Sequence, residues 1–309
     1  MKAHSLILLL VLSGLVLSAQ AQTIAKKTQS PFDLEVTAGA TYDSNVSINE
    51  IDSETAQSDT AFNLAGRIVY AHHLNKRTKI NLRGSWSQRS YNDFSQYDLL
   101  TNLFSAQLQH DFGGYKLAAG LRHIATDLDS QDFLNFDQAA LTLSSRLSKT
   151  IFIRSEYTYT DKQFKQSASR DTDEYSIGTD LYYFLDGSRQ YWSFGYKYQD
   201  ENTVNEPQFS RQIHSLKTKY HKKFQLFSRD TKFSLKGRYQ IRNYDAITPS
   251  IGEVRDDDRL RFGVELQIPI NLNWFVRLEY EFFDYSSNLP SADYSQNIVA
   301  MKIGWHNQG

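Results

Sequence analysis

From Phe32 onward, apolar and polar residues alternate with a period of two, in long segments separated by polar connections. In Leu260-Arg261-Phe262-Gly263-Val264-Glu265-Leu266-Gln267-Ile268 every even position is apolar and every odd one is polar or glycine. The even positions of the segment 274–282 are again apolar, and 233–241 and 299–303 repeat the pattern. Successive side chains of a strand point to opposite faces, so strict alternation describes a strand with one apolar face and one polar face. Fourteen such strands are expected, centred near Val36, Ala65, Gly84, Ser105, Gly120, Leu141, Ser155, Gly178, Gly195, Lys217, Gly237, Gly263, Leu278 and Ala300. A bilayer is crossed by about 9–11 tilted residues, whereas strands of water-soluble folds average about 5–6. Segment length therefore predicts an all-β fold, a transmembrane antiparallel up-and-down β-barrel of about 14 strands, rather than a soluble sandwich or propeller.

The connections alternate in length. Short turns are expected at 73–77, 112–115, 148–149, 186–188, 225–230 and 271–273. Long loops are expected at 44–58, 92–96, 127–135, 165–170, 201–209, 246–256 and 286–292. With the first strand starting at the periplasmic side, every long loop falls outside, as in bacterial barrels. Proline cannot donate to a strand ladder, and none interrupts a segment. Pro31 precedes the first, Pro269 ends another, and Pro207, Pro249 and Pro290 lie in connections.

The start of the chain gives the compartment. Lys2 is followed by an apolar run from Leu6 to Leu17 and by Ala19-Gln20-Ala21. This is the pattern of a secretory signal peptide, and the run is shorter than the roughly 20 residues of a membrane helix. The expected organisation is a signal peptide over 1–21, a short periplasmic leader over 22–31 and an outer-membrane barrel over 32–309. There is no cysteine, which removes a lipid-anchored cysteine, a disulfide framework and a thiolate metal site. The mean hydropathy of −0.53 looks soluble, yet 19 Tyr, 19 Phe and 4 Trp are a heavy aromatic load. A barrel reconciles the two, because only alternate residues face lipid.

A net charge of −1 gives no case for nucleic acid, but it conceals a segregation. The outward phase is apolar, with Tyr42, Tyr157, Tyr159, Tyr175, Tyr183, Tyr198, Tyr239, Tyr280 and Trp305 towards strand ends, as in an interfacial girdle. The strand at 212–220 has the weakest apolar face. The inward phase is mainly basic. Lys236, Arg238, Arg242, Arg259, Arg261, Arg277 and Lys302 form a candidate basic wall, shared with Glu35, Glu156, Asp180, Glu265, Glu279 and Glu281. Two readings stand side by side: a salt-bridge network that stiffens the wall, and a conduit for an anionic or polar passenger, since rings of Arg and Lys select anions in pores. The outer connections are acidic, including Glu50, Asp52, Glu54 and Asp256-Asp257-Asp258. They read as a solvated face near lipopolysaccharide. The Asp triplet lacks the spaced oxygen ligands of a calcium loop.

No catalytic constellation emerges. His214 and Ser215 are adjacent and point to opposite faces, and His123 with Asp127 and Asp129 is the only candidate histidine–acid group. No phosphate loop, metal motif or serine elbow is present. The chain is expected to be neither an enzyme nor a cofactor protein.

The first strand closes in Tyr42-Asp43-Ser44-Asn45-Val46, followed by a long polar loop. This resembles the C-terminal barrel of the surface lipoprotein assembly modifiers (Slam), and is similar to barrels associated with exopolysaccharide export. The resemblance covers nearly all of the mature chain. It implies a fourteen-stranded barrel acting in surface display or export, with a lipoprotein or anionic polymer as passenger. The family's periplasmic tetratricopeptide-repeat domain, which engages passengers, is not seen here, which puts client capture by this chain in doubt. The alternatives are a passive porin or exopolysaccharide-export channel with a basic lumen, and a structural barrel. The sequence sets no oligomeric state.

Overall fold

The computed structural model describes residues 31–203 and 205–307. The expected signal peptide and almost all of the leader lie outside the described residues. The described residues run through sixteen strands: β1 (Phe32–Asp43), β2 (Ser47–Ile48), β3 (Ser53–Glu54), β4 (Asp59–His73), β5 (Thr78–Tyr91), β6 (Leu99–Asp111), β7 (Tyr115–Leu128), β8 (Gln131–Arg146), β9 (Ile151–Phe164), β10 (Thr172–Asp186), β11 (Gln190–Thr203), β12 (Arg211–Leu226), β13 (Arg229–Thr248), β14 (Glu253–Pro269), β15 (Trp274–Ser287) and β16 (Tyr294–His306). β2 and β3 are a small ribbon within the first loop. The other fourteen form one closed antiparallel barrel in sequence order. All fourteen expected centres fall inside these strands, and the prolines lie at strand ends or in connections.

Closure is made by β1, which pairs with β4 on one side and with β16 on the other. The β1–β16 register runs from Glu35↔His306 to Asp43↔Ile298. The walls approach closely here. A Cβ on Gly39 would lie 2.2 Å from the Met301 carbonyl oxygen, and one on Gly304 would lie 2.1 Å from the ring of the fully buried Phe275. Glycine is needed at both positions because a side chain has no room.

The outward phase is as read. Leu121 (67% exposed), Met301 (63%), Phe104 (62%) and Phe62 (57%) stand on the outer surface with Leu141, Leu143, Phe194 and Ile303. Large apolar patches of this kind are aggregation sites in water, but hydrocarbon solvates them. The weak strand is β12, where His214 and Tyr220 face outward. His214 Nδ1 lies 2.8 Å from Tyr196 Oη, and Tyr220 packs against Trp192. Towards the outer rim, girdle hydroxyls are satisfied across strands. Tyr159 donates to Asp173 (2.6 Å), Tyr239 to Asp258 (2.9 Å) and Tyr280 to Asn297 (2.8 Å).

Two connections differ from expectation. Residues 127–135 are not a long loop: β7 and β8 continue outward and turn through Asp129-Ser130 alone. Both turn residues have positive φ (52° and 60°), the geometry of a two-residue hairpin turn that usually carries Asn-Gly. The turn contains no glycine, so its residues do not announce it. Likewise 246–256 is mostly strand, because β13 reaches Thr248 and β14 begins at Glu253.

The alternation carries a direct energetic expectation. Leu278 and Met301 are cross-strand neighbours on the lipid face. Leu278→Arg is expected to lower folding stability in vesicles by about 2–4 kcal/mol if the site lies near the midplane. Lys302→Met, on the opposite face of its strand, is expected to cost less. Urea titration of refolding, followed by gel mobility with and without heating, measures both.

Candidate functional site: the outer mouth of the lumen

The motif that ends β1 begins the site. Asp43 is wholly buried. Its carboxylate accepts hydrogen bonds from Tyr91 Oη (2.8 Å) and from Gln296 Nε2 (2.8 and 2.9 Å), and its Oδ1 also receives the Asn45 amide (3.1 Å). Ser44 and Asn297 exchange two bonds, through the Ser44 amide to the Asn297 carbonyl (2.9 Å) and through the Asn297 amide to Ser44 Oγ (2.8 Å). Asn45 donates to Glu54 (2.6 Å) and accepts from the Ala56 amide (3.0 Å). Val46 is buried with Ala61 and Tyr91. Of the motif only Tyr42 stands on the outer surface. The motif is therefore a clasp: it fastens the outer end of β1 to β16 and sets the direction in which the next loop leaves.

That direction is inward. Residues 44–58 fold across the outer mouth of the barrel. Ile48 and Ile51 pack into an apolar cluster with Phe133, Leu134, Phe136 and Phe164 of β8 and β9. On the other side Asn49 bonds Tyr294 of β16, and Ser53 Oγ lies 2.9 Å from Tyr97 Oη. At the turn of the ribbon, Asp52 adopts a left-handed conformation (φ 52°), which Asp and Asn tolerate better than other residues with a side chain. There it takes a two-pronged bond from Arg255 (2.8 and 2.9 Å), and Arg259 lies 3.4 Å away. Arg255 binds Asp257 equally well (2.8 and 2.9 Å), and Ser287 and Tyr244 also donate to Asp257.

This corrects the reading of the outer acids as a solvated face. Asp257 is buried and Asp52 nearly so (side chain 10% exposed), both as partners of buried arginines, because their loop and strand turn them into the lumen. Asp256 and Asp258 lie on the opposite face of β14 from Asp257, so the triplet does not converge. Burial alone would raise the Asp52 pKa. The bond and charge of Arg255, helped by Arg259 and Arg211, outweigh it and bring the pKa down to about 2.

All seven residues of the expected basic wall lie on the lumen side, but most are engaged. Lys236 pairs with Glu265 (3.0 Å), Arg261 with Glu281 (2.5 Å), Arg277 with Glu35 (3.0 Å), Lys302 with Glu279 (2.5 Å) and Arg259 with Asp257 (3.2 Å). Among the described residues, no carboxylate lies within ion-pair distance of Arg238 or Arg242. Lower in the lumen, Asn81, Arg83, Gln107, Arg122, Arg154 and Glu156 border a cavity of about 270 Å³. The stiffening network thus accounts for most of the wall. Sequence reasoning missed Arg255, Arg170, Arg211, Tyr91 and Gln296. Arg255 shares the phase of Arg259 and Arg261, and carrying the alternation of β14 two residues further outward would have found it.

A model of the surface lipoprotein assembly modifier family matches residues 33–306. The chain belongs to that family. As a member, it is a bacterial outer-membrane barrel of surface lipoprotein assembly. The search of curated proteins found no match. Among solved structures, it is similar to OmpT of Vibrio cholerae in its trimer form, at 10% identity and a TM-score of 0.50, covering 89% of this chain and 99% of that one. OmpT expressed in the outer membrane gives 9% identity, a TM-score of 0.50, and coverage of 89% and 97%. At such identities the likeness is one of fold.

The clasp and the Arg255 contact give two expectations. Asp52→Asn keeps a residue suited to left-handed backbone while removing the charge, and is expected to unseat the loop and raise single-channel conductance. Acid should not mimic it at moderate pH. A carboxylate whose pKa is depressed on folding stabilises the seated loop above its free value of 3.8, and that stabilisation is lost only as pH falls towards about 2. Conductance of the parent protein is therefore expected to be steady between pH 7 and pH 4.5.

Proposed function

We propose that this barrel is the outer-membrane conduit through which a lipoprotein passenger is brought to display on the cell surface, with residues 44–58 as its internal stopper. The observation that carries the reading is the seating of that loop. It crosses the mouth on one compact apolar cluster and one buried ion-pair group, so a passenger can displace it without breaking the wall. The barrel works by passage rather than by chemistry. Client capture from the periplasm falls to a partner or to a segment beyond the barrel. Asp137, Asp161, Asp173 and Asp258 stand outward near the outer tyrosines, at the level where divalent cations bridge acidic groups to lipopolysaccharide.

A passive porin with a basic lumen is the competing reading. The extensive ion pairing along the wall and the loop across the mouth weigh against a wide, constantly open pore, since paired charges offer a weaker field to solutes.

Co-expression with candidate surface lipoproteins separates the two. The conduit reading expects the lipoprotein to become sensitive to external protease only when the barrel is present, while purified barrel conducts little in planar bilayers. Steady anion-selective current together with unchanged lipoprotein exposure would reject it in favour of the porin.

A further inference from the structure

Behind the seated loop lies a chamber of about 160 Å³, enclosed on one side by Asn49, Glu50 and Asp52 and on the other by the inner walls of β8 to β14. Its lining is divided. Leu134, Phe136, Phe164 and Phe209 form an apolar wall, and Lys162, Arg170, Arg211, Arg242 and Arg259 bring five cations against the three carboxylates of Glu50, Asp52 and Glu201. Most of these cations are satisfied. Lys162 and Arg211 hold Glu201 (2.6 and 2.7 Å), Lys162 also holds Glu174 (2.9 Å), and Arg170 donates to the Glu50 carbonyl (3.0 Å) while stacking on Phe209. Arg259 is held by Asp52 and Asp257.

Arg242 is different. It stands between Ile213 of β12 and Asp257 of β14 in register, yet among the described residues it makes no ion pair, and its Nε is buried without a hydrogen-bond partner. The Nε of Arg259, on the next strand, is likewise buried and unmet, as is that of the ion-paired Arg277 outside the chamber, so what sets Arg242 apart is its lack of a carboxylate partner. Buried donors of charged groups are ordinarily paired. The Nε atoms of Arg242 and Arg259 are closed off, but both residues line the chamber from adjacent strands, and Arg242 brings there a guanidinium with no carboxylate within ion-pair distance among the described residues, which describes half of a binding site. A guanidinium presents its N–H groups as a planar fork that matches the oxygens of phosphate.

We propose that this chamber binds a phosphate-type oxyanion, received by Arg242 and Arg259, with Arg211 supplying further positive field. The chamber is small compared with pockets for whole ligands. It therefore takes the free ion, or a phosphomonoester group at the end of a larger molecule whose next part, such as a sugar ring, rests on the phenylalanine wall. The inference goes beyond the conduit reading and does not depend on it.

The test uses the refolded full-length mature barrel in detergent, titrated by calorimetry with inorganic phosphate and separately with glucose 6-phosphate. Saturable binding is expected, with affinity lowered roughly tenfold or more in Arg242→Gln and retained in Arg238→Gln, a lumen arginine outside the chamber. Arg242→Lys, which keeps the charge but not the fork, is expected to fall between. Tighter binding of the sugar phosphate assigns the site to the head of a larger molecule, and equal or weaker binding assigns it to the free ion. Each variant is first checked for the heat-modifiable gel mobility of the folded barrel; should Arg242→Gln fail that check, Arg242→Lys decides alone. Absence of saturable binding to the parent protein, or affinity untouched by substitution at Arg242, overturns the proposal.

Discussion

A strand that faces hydrocarbon has no water to satisfy its amides and carbonyls, so every ladder in the membrane must find a protein partner. The sheet must close, and closure falls on the pairing of β1 with β16, the one junction without a connecting hairpin. That junction also has the shortest register of the barrel. The chain compensates in two ways. Glycines at 39 and 304 allow the walls to approach, and the Asp43–Gln296 and Ser44–Asn297 contacts fasten the outer end. A family-like motif that could have been taken for a recognition element proves to be a mechanical one.

The clasp explains the loop. A residue leaving β1 with free torsions could carry the chain outward into water. Here Asp43 holds the amide of Asn45, and Asn45 in turn is bonded to Glu54 and Ala56, so the chain is turned over the rim before the ribbon begins. Once it points inward, apolar Ile48 and Ile51 have somewhere to bury. Asp52 meets Arg255 away from bulk water, where a two-pronged contact is stronger than at the surface. Seam and stopper therefore share residues, and a disturbance at one is felt at the other.

The barrel was legible because its signal is repeated fourteen times and each repeat is long. A lipid-facing charge is costly, so the outward phase is nearly free of ambiguity, and the strand centres, the face of each wall residue and the placement of proline all followed from it. The strand ends were not legible. Beyond the bilayer there is no hydrocarbon to enforce the pattern, so β7, β8, β13 and β14 run on through polar sequence, and the Asp129-Ser130 turn lacks the glycine that marks such turns. The same gap hid Arg255 and the burial of Asp52 and Asp257. Acids in a connection look solvated until their partners are known, and the partner of Asp52 lies 203 residues away.

The unequal pairing of the wall then gains significance. Along β13 to β16, Lys236, Arg261 and Lys302 each face a carboxylate on the adjacent strand, and Arg277 reaches past β16 to Glu35 of β1, which is what a rigid scaffold requires. Charge is left unmatched at Arg238 and, near the loop, around Arg242, where the wall meets an inward segment that is not part of the sheet. An enclosed cation without a partner is tolerable if something else neutralises it or if water reaches it when the loop leaves. Either way, the state of the loop and the charge state of the chamber are linked: an anion held beside Arg242 and Arg259 lowers the repulsion among the cations behind the loop, and so favours the seated arrangement over the open one. The interior is thereby divided into a stiff wall, ion-paired along much of β13 to β16, and a charged, adjustable mouth, and the adjustable part is the one that meets the cell exterior.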